Sequence, residues 1–222
     1  MVQIAPSILS ADFSRIEEAV KIAGEAGADL IHIDIMDGHF VPNLTFGPQL
    51  VASIREKTSL PLDVHLMVEN PRSFIPLFAE AGADWISIHL EASAHLHKDI
   101  TMIKEYGKKA GLALNPATPI LLMNEILNEL DFILLMTVNP GWGGQGFIDS
   151  CHSKISKLKS WINSQKLKIP IEIDGGVKLA NMADLIKDGA DILVAGSAVY
   201  GEKDPKEAIM KMKELAQKAG KP

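Results

Sequence analysis

The chain has 222 residues, 47% of them apolar and 23% charged, with a formal net charge of −6. That supply of apolar residues fills one sizeable core, and the acidic balance without a basic stripe argues against a nucleic-acid partner. The single cysteine, Cys151, excludes an internal disulfide and reads as a structural thiol.

Short apolar or alternating runs predict eight strands, at Gln3–Leu9, Leu30–Met36, Leu62–Met67, Trp85–Leu90, Lys109–Leu114, Phe132–Met136, Ile169–Asp174 and Ile192–Ala195. Helical patterns lie between most of them. After the first strand, Arg15–Gly24 carries Ile16, Ala19, Val20 and Ala23 on one stripe, and Ser14-x-x-Glu17 offers a capping box. Asn70-Pro71 and Asp204-Pro205 each offer an N-cap followed by proline at the first helical position. Pro76 is expected to kink the third helix or delay its start. Gly27-Ala28-Asp29, Gly82-Ala83-Asp84 and Gly189-Ala190-Asp191 form a weak repeat, each ending a helix before a strand.

Eight βα units with no linker predict one (β/α)₈ TIM barrel over residues 1–222. An open doubly wound sheet is the alternative, but no G-x-G-x-x-G follows the first strand. The N-terminus has no basic start and no long apolar run, and no segment reaches a membrane span. The expectation is a cytoplasmic protein without a membrane partner.

Barrel chemistry belongs at the carboxyl ends of the strands. There His32, Asp34 and Met36 share one face of the second strand, and Ile31, Ile33 and Ile35 share the other. His65 and Met67 end the third strand, Met136 ends the sixth, and Asp174 ends the seventh. Two carboxylates buried together are costly unless a cation or a proton compensates. With two imidazoles they suit one divalent metal ion per chain, Zn²⁺, Fe²⁺, Mn²⁺ or Co²⁺. His89, sharing a face with Ser87 and Glu91, is expected to hydrogen-bond behind the ligands. Met36, Met67 and Met136 are candidates for an apolar cap over the reacting atoms. Glycine-rich loops follow the sixth strand (Gly141, Trp142, Gly143, Gly144), the seventh (Gly175, Gly176) and the eighth (Gly196, Ser197). Close backbone approach in three successive loops suits a phosphate group on a small metabolite.

Several stretches resemble the ribulose-phosphate 3-epimerase family. They are Ala5-Pro6-Ser7-Ile8-Leu9-Ser10-Ala11-Asp12-Phe13, His32-x-Asp34-x-Met36-Asp37-Gly38, Phe40-Val41-Pro42-Asn43, Asp63-Val64-His65-Leu66-Met67, Asn139-Pro140-Gly141-Trp142-Gly143-Gly144-Gln145 and Asp174-Gly175-Gly176. The resemblance spans the chain in order. It implies a ribulose-phosphate-binding barrel that interconverts D-ribulose 5-phosphate and D-xylulose 5-phosphate. It also implies metal ligands at His32, Asp34, His65 and Asp174, and acid/base groups at Asp34 and Asp174. Substrate contacts are implied at Ser7, His65, Asp174 and the three glycine loops, and so is a homo-oligomer. Trp142 departs from the family, where phenylalanine is common. A hexulose 6-phosphate such as allulose 6-phosphate is the alternative substrate. A non-catalytic sugar-phosphate binder would have no use for the four clustered ligands.

Overall fold

A computed structural model describes residues 1–219, so the expected unit 1–222 runs past the described chain. Its strands are β1 (Gln3–Pro6), β2 (Ile31–Met36), β3 (Leu62–Met67), β4 (Trp85–His89), β5 (Lys109–Leu114), β6 (Phe132–Met136), β7 (Ile171–Asp174) and β8 (Ile192–Ala195). All pair in parallel, in sequence from β2 to β8 and then to β1. The ring nearly closes where Ser7 bridges His32 and where the Asp29 N–H donates to the Ile4 carbonyl at 3.0 Å. This is the expected barrel. β1 stops short of Leu9 because Ile8–Ser10 turns into a 3₁₀ segment, with the Ser7 hydroxyl accepting the Leu9 N–H. β7 starts at Ile171 because Pro170 has no N–H to donate.

The helices are α1 (Ile16–Glu25), α2 (Pro48–Arg55), α3 (Pro71–Glu80), α4 (Leu96–Glu105), α5 (Ser150–Ser164), α6 (Met182–Asp188), α7 (Ser197–Tyr200) and α8 (Pro205–Ala219). Between β5 and β6 only two 3₁₀ turns occur, at Ile120–Met123 and Leu127–Glu129. The expected capping box at Ser14 does not form. Asp12 instead accepts from the backbone and hydroxyl of Ser14, capping a 3₁₀ turn that precedes α1. Asp204 accepts the Glu207 N–H as expected, whereas Asn70 makes no side-chain cap. α3 starts at Pro71 and continues through Pro76, so that proline does not delay it.

Outward-facing Ile31, Ile33, Ile35, Val64, Leu66, Ile86 and Ile88 join the helices in the main core. A second, inner cluster of Ala5, Leu30, Trp85, Phe132, Ile192 and Val194 plugs the floor of the barrel. Gly111 makes this plug possible, since a Cβ there would lie 2.2 Å from the Phe132 ring. No helix among the described residues is long and apolar enough to cross a membrane.

The weak repeat is a set of clamps at the amino end of the barrel. Asp29 accepts the Ile4 N–H at 2.7 Å, Asp84 the Leu62 N–H at 2.8 Å, and Asp191 the Ile171 N–H at 2.9 Å. Asp131, without the Gly-Ala prefix, does the same for Ala110 at 2.8 Å. Each aspartate precedes an even-numbered strand and grips the odd-numbered strand before it. Lys213, Arg55 and Lys159 pair with the first three of these carboxylates from the surrounding helices.

Candidate active site

Above the apolar plug the barrel interior turns polar. Alternation along β2, β3 and β7 sends His32, Asp34, Asp63, His65, Glu172 and Asp174 inward, and all but Asp174 are buried. Ligand atoms of His32, Asp34, His65 and Asp174 all lie within 4.8 Å of one another. Asp34 Oδ1 is 3.3 Å from both His32 Nε2 and His65 Nδ1, and Asp174 Oδ2 is 3.9 Å from His65 Nδ1. Ligand bonds of about 2.1 Å in a tetrahedral site put neighbouring donor atoms ~3.4 Å apart, so this spacing suits a metal ion. His65 Nδ1 is buried, faces both carboxylates and has no hydrogen-bond partner. An orphaned imidazole nitrogen beside two carboxylates fits a divalent cation.

Charge in the cluster is uneven. Burial opposes ionisation of Asp34, but His32, by charge and hydrogen bond, and the nearby His65 outweigh it and hold its carboxyl below the usual range. Burial, then the Asp34 carboxylate, push Asp174 up to about 7. The Ser7 hydroxyl donates to Asp34 Oδ2 at 2.7 Å, leaving Oδ1 toward the histidines. Thr45 fixes the backbone here, donating to the Asp34 carbonyl at 2.6 Å and accepting the Met36 N–H at 3.0 Å.

The cavity over the cluster is lined by Ser7, Asp34, Asp174, Met36, Met67 and Met136, and by the loops after β6, β7 and β8. The three methionines are buried, and Met36 and Met67 pack with Val41 and Phe40. No Lys or Arg lines this cavity among the described residues. The loops need their glycines partly for packing on one another. A Cβ at Gly176, where φ is +68°, would sit 2.5 Å from the Phe147 nitrogen, and one at Gly175 would sit 2.5 Å from Val138. Thr137 ties the loops together by donating to the Asp174 carbonyl at 3.0 Å and that of Gly175 at 2.5 Å. Gln145 braces the loop after β6 through the carbonyls of Asn139 and Trp142. Trp142 itself is 53% exposed.

Three features escape the sequence reading. Asp63 bonds His32 Nδ1 at 2.6 Å, and Glu172 lies 3.5 Å from the same nitrogen. Both could have been read from period-two alternation with His65 and Asp174. Ser10 sits between two glycine loops, its hydroxyl where a Cβ of Gly143 or Gly196 would press. No local pattern marks it.

A sequence profile for the ribulose-phosphate 3 epimerase family matches residues 3–200. Ribulose-phosphate 3-epimerase of Bacillus subtilis is 52% identical over 96% of this chain and 99% of its own length. The Aquifex aeolicus protein of that name is 45% identical, covering 96% of both chains. The chloroplastic ribulose-5-phosphate-3-epimerase of Arabidopsis thaliana is 49% identical over 95% of this chain and 75% of its own length. Among solved structures, KGPDC from Streptococcus mutans superposes with a TM-score of 0.77 at 14% identity, covering 99% of both chains. The 3-hexulose-6-phosphate synthase of Salmonella typhimurium gives 0.72 at 16% identity, covering 98% of this chain and 100% of its own. At that identity these two structures show the shared barrel alone. The profile match over most of the chain and the curated relatives lead to one conclusion: the chain belongs to the ribulose-phosphate 3 epimerase family.

Proposed function

We propose that this chain, as one barrel over residues 1–222, interconverts D-ribulose 5-phosphate and D-xylulose 5-phosphate by moving the proton on carbon 3. The observation that carries this reading is the pair Asp34 and Asp174, brought from β2 and β7 to 3.3 Å and 3.9 Å from the unpartnered His65 Nδ1. The carbon 3 proton is acidified by the neighbouring carbonyl, and its removal gives an enediolate. Inversion requires a base on one face and an acid on the other. Asp34, held ionised by its histidines, takes the proton on one face. Asp174 returns one on the other face, and the roles exchange in reverse. Each positioned carboxyl contributes about 10²–10⁴-fold.

His32 Nε2, Asp34, His65 Nδ1 and Asp174 would hold one divalent ion of the Zn²⁺, Fe²⁺, Mn²⁺ or Co²⁺ group. When bound, such an ion supplies Lewis-acid stabilisation of the enediolate charge. Asp63 and Glu172 turn the His32 ring toward the site through its other nitrogen. Met36, Met67 and Met136 keep water from the reacting carbon. Main-chain groups of Gly141 to Gly144, Gly175-Gly176 and Gly196-Ser197 hold the phosphate, consistent with a lining that has no cationic side chain. A coupled assay for xylulose 5-phosphate from ribulose 5-phosphate tests the reading. Turnover should be lost with a chelator and return with added metal. Inactivity with metal present would refute the assignment, and full activity of metal-free protein would refute the metal.

A further inference from the structure

A chain of hydrogen bonds runs behind His65, away from the carboxylates. His65 Nε2 lies 2.9 Å from His89 Nε2, with the two ring planes 27° from parallel. His89 Nδ1 lies 3.1 Å from Glu91 Oε2. Glu91 Oε1 accepts the Asn115 N–H at 2.8 Å and the Thr118 hydroxyl. Phe40 covers the His89 ring at 4.6 Å between centroids, and His89 is fully buried. We propose that Glu91 is a positioning residue that sets the tautomer of His65 through His89, and so turns the His65 Nδ1 lone pair toward the metal. The inference rests on the metal reading above.

The protons of this chain are fixed from both of its ends. An ionised carboxylate only accepts, so His89 must carry its proton on Nδ1 to bond Glu91. A neutral imidazole has one N–H, so His89 Nε2 is left as an acceptor. It can then take only an N–H from His65 Nε2, which leaves His65 Nδ1 bare. From the other end, a metal ligand at His65 Nδ1 requires the proton on Nε2, which requires an acceptor at His89 Nε2 and a proton on His89 Nδ1. The reversed arrangement would put a proton on His65 Nδ1, where it would bond Asp34 and block the ion. It would also set a bare His89 nitrogen against the Glu91 carboxylate. Glu91 is held in place by the loop after β5, so that loop supports a ligand on β3 that it does not touch.

Glu91→Gln tests this. The amide keeps the size of the carboxylate but must offer an N–H either to His89 or to the Asn115 N–H, so one partner of the relay is lost. Zinc affinity, measured by competition with a chromogenic chelator, should fall about 10–100-fold, the usual cost of losing the partner behind a ligand. In a His89→Leu background the relay is already severed, and Glu91→Gln should add no more than about 2-fold, the signature of coupled residues. Wild-type zinc affinity in Glu91→Gln would overturn the proposal. So would an equal loss in both backgrounds, which would make Glu91 a loop anchor only. Should a variant not fold, ¹⁵N-histidine spectra of the zinc-loaded wild type decide alone. A proton on His89 Nδ1 supports the relay, and one on Nε2 overturns it. If the wild type takes up none of Zn²⁺, Fe²⁺, Mn²⁺ and Co²⁺, the metal reading falls and this inference with it. Zinc uptake indifferent to Glu91 sinks the inference alone.

Discussion

Asp34 joins several interactions of the site. Its Oδ2 takes the Ser7 hydroxyl, its Oδ1 faces two histidines, and its carbonyl is held by Thr45. Thr137 likewise holds the Asp174 carbonyl, but burial and the opposing Asp34 govern the Asp174 carboxyl. If one carboxyl serves each face of the substrate, Asp34→Asn and Asp174→Asn should each nearly abolish turnover. Loss alone is ambiguous, because either change could expel the metal. Proton exchange at carbon 3 in deuterated water, run on variants shown to retain metal, separates the cases. A variant lacking only the far-side acid should exchange the proton of one epimer without converting it, and the two variants should favour opposite epimers. A metal-replete Asp174→Asn protein that still inverted carbon 3 at near wild-type rate would remove Asp174 from the acid/base pair.

The elements were legible to the extent that their periodicity was local. Strands β2, β3, β4, β5, β6 and β8 begin and end within a residue of where their expected runs do, because burial against the helices keeps Ile, Val and Leu recurring along them. Ser14 misled because Asp12, two residues upstream, competes for the same N–H and wins with a charge. The clamp role of Asp29, Asp84 and Asp191 was hidden because their partners lie 20 to 25 residues away. That role is testable at the seam where the ring closes. Ile4 is fully buried, and Asp29 Oδ2 is the partner of its N–H. Asp29→Ala should cost about 1–3 kcal/mol, toward the lower end because the carboxylate is partly exposed. The urea midpoint should fall with an unchanged slope, and the Michaelis constant should not move, since Asp29 lies at the opposite end of the barrel. An unmoved midpoint would mean that water replaces the carboxylate.

Across the whole molecule the two barrel ends divide the work: aspartate clamps at the amino end, titratable and glycine-rich groups at the carboxyl end. The division explains why the candidate ligands could be read from sequence while the relay to Glu91 could not. Inward residues at strand ends announce themselves by being polar among Ile and Leu, as His32 and Asp34 do in Ile31-His32-Ile33-Asp34-Ile35. Glu91, His89 and His65 sit on or beside neighbouring strands, and their contact depends on the register of β3 against β4, in which His65 lies beside Ser87. The same cross-strand placement makes the ligand cluster a structural tie. His32 and Asp34 belong to β2, His65 to β3 and Asp174 to β7, so one ion would join strands on both sides of the β1–β2 seam. An ion that binds the folded chain alone stabilises it by ~2.7 kcal/mol at a hundredfold excess over its Kd. For a chain of this length that corresponds to a rise in Tm of roughly 5–10 °C. Calorimetry with and without chelator should therefore show one transition that moves as a whole, because no part of the ring can open while the tie holds. A Tm indifferent to chelator and added metal would argue against a bound ion. A split into two transitions on chelation would instead show that the ion itself holds the two sides of the seam in one cooperative unit.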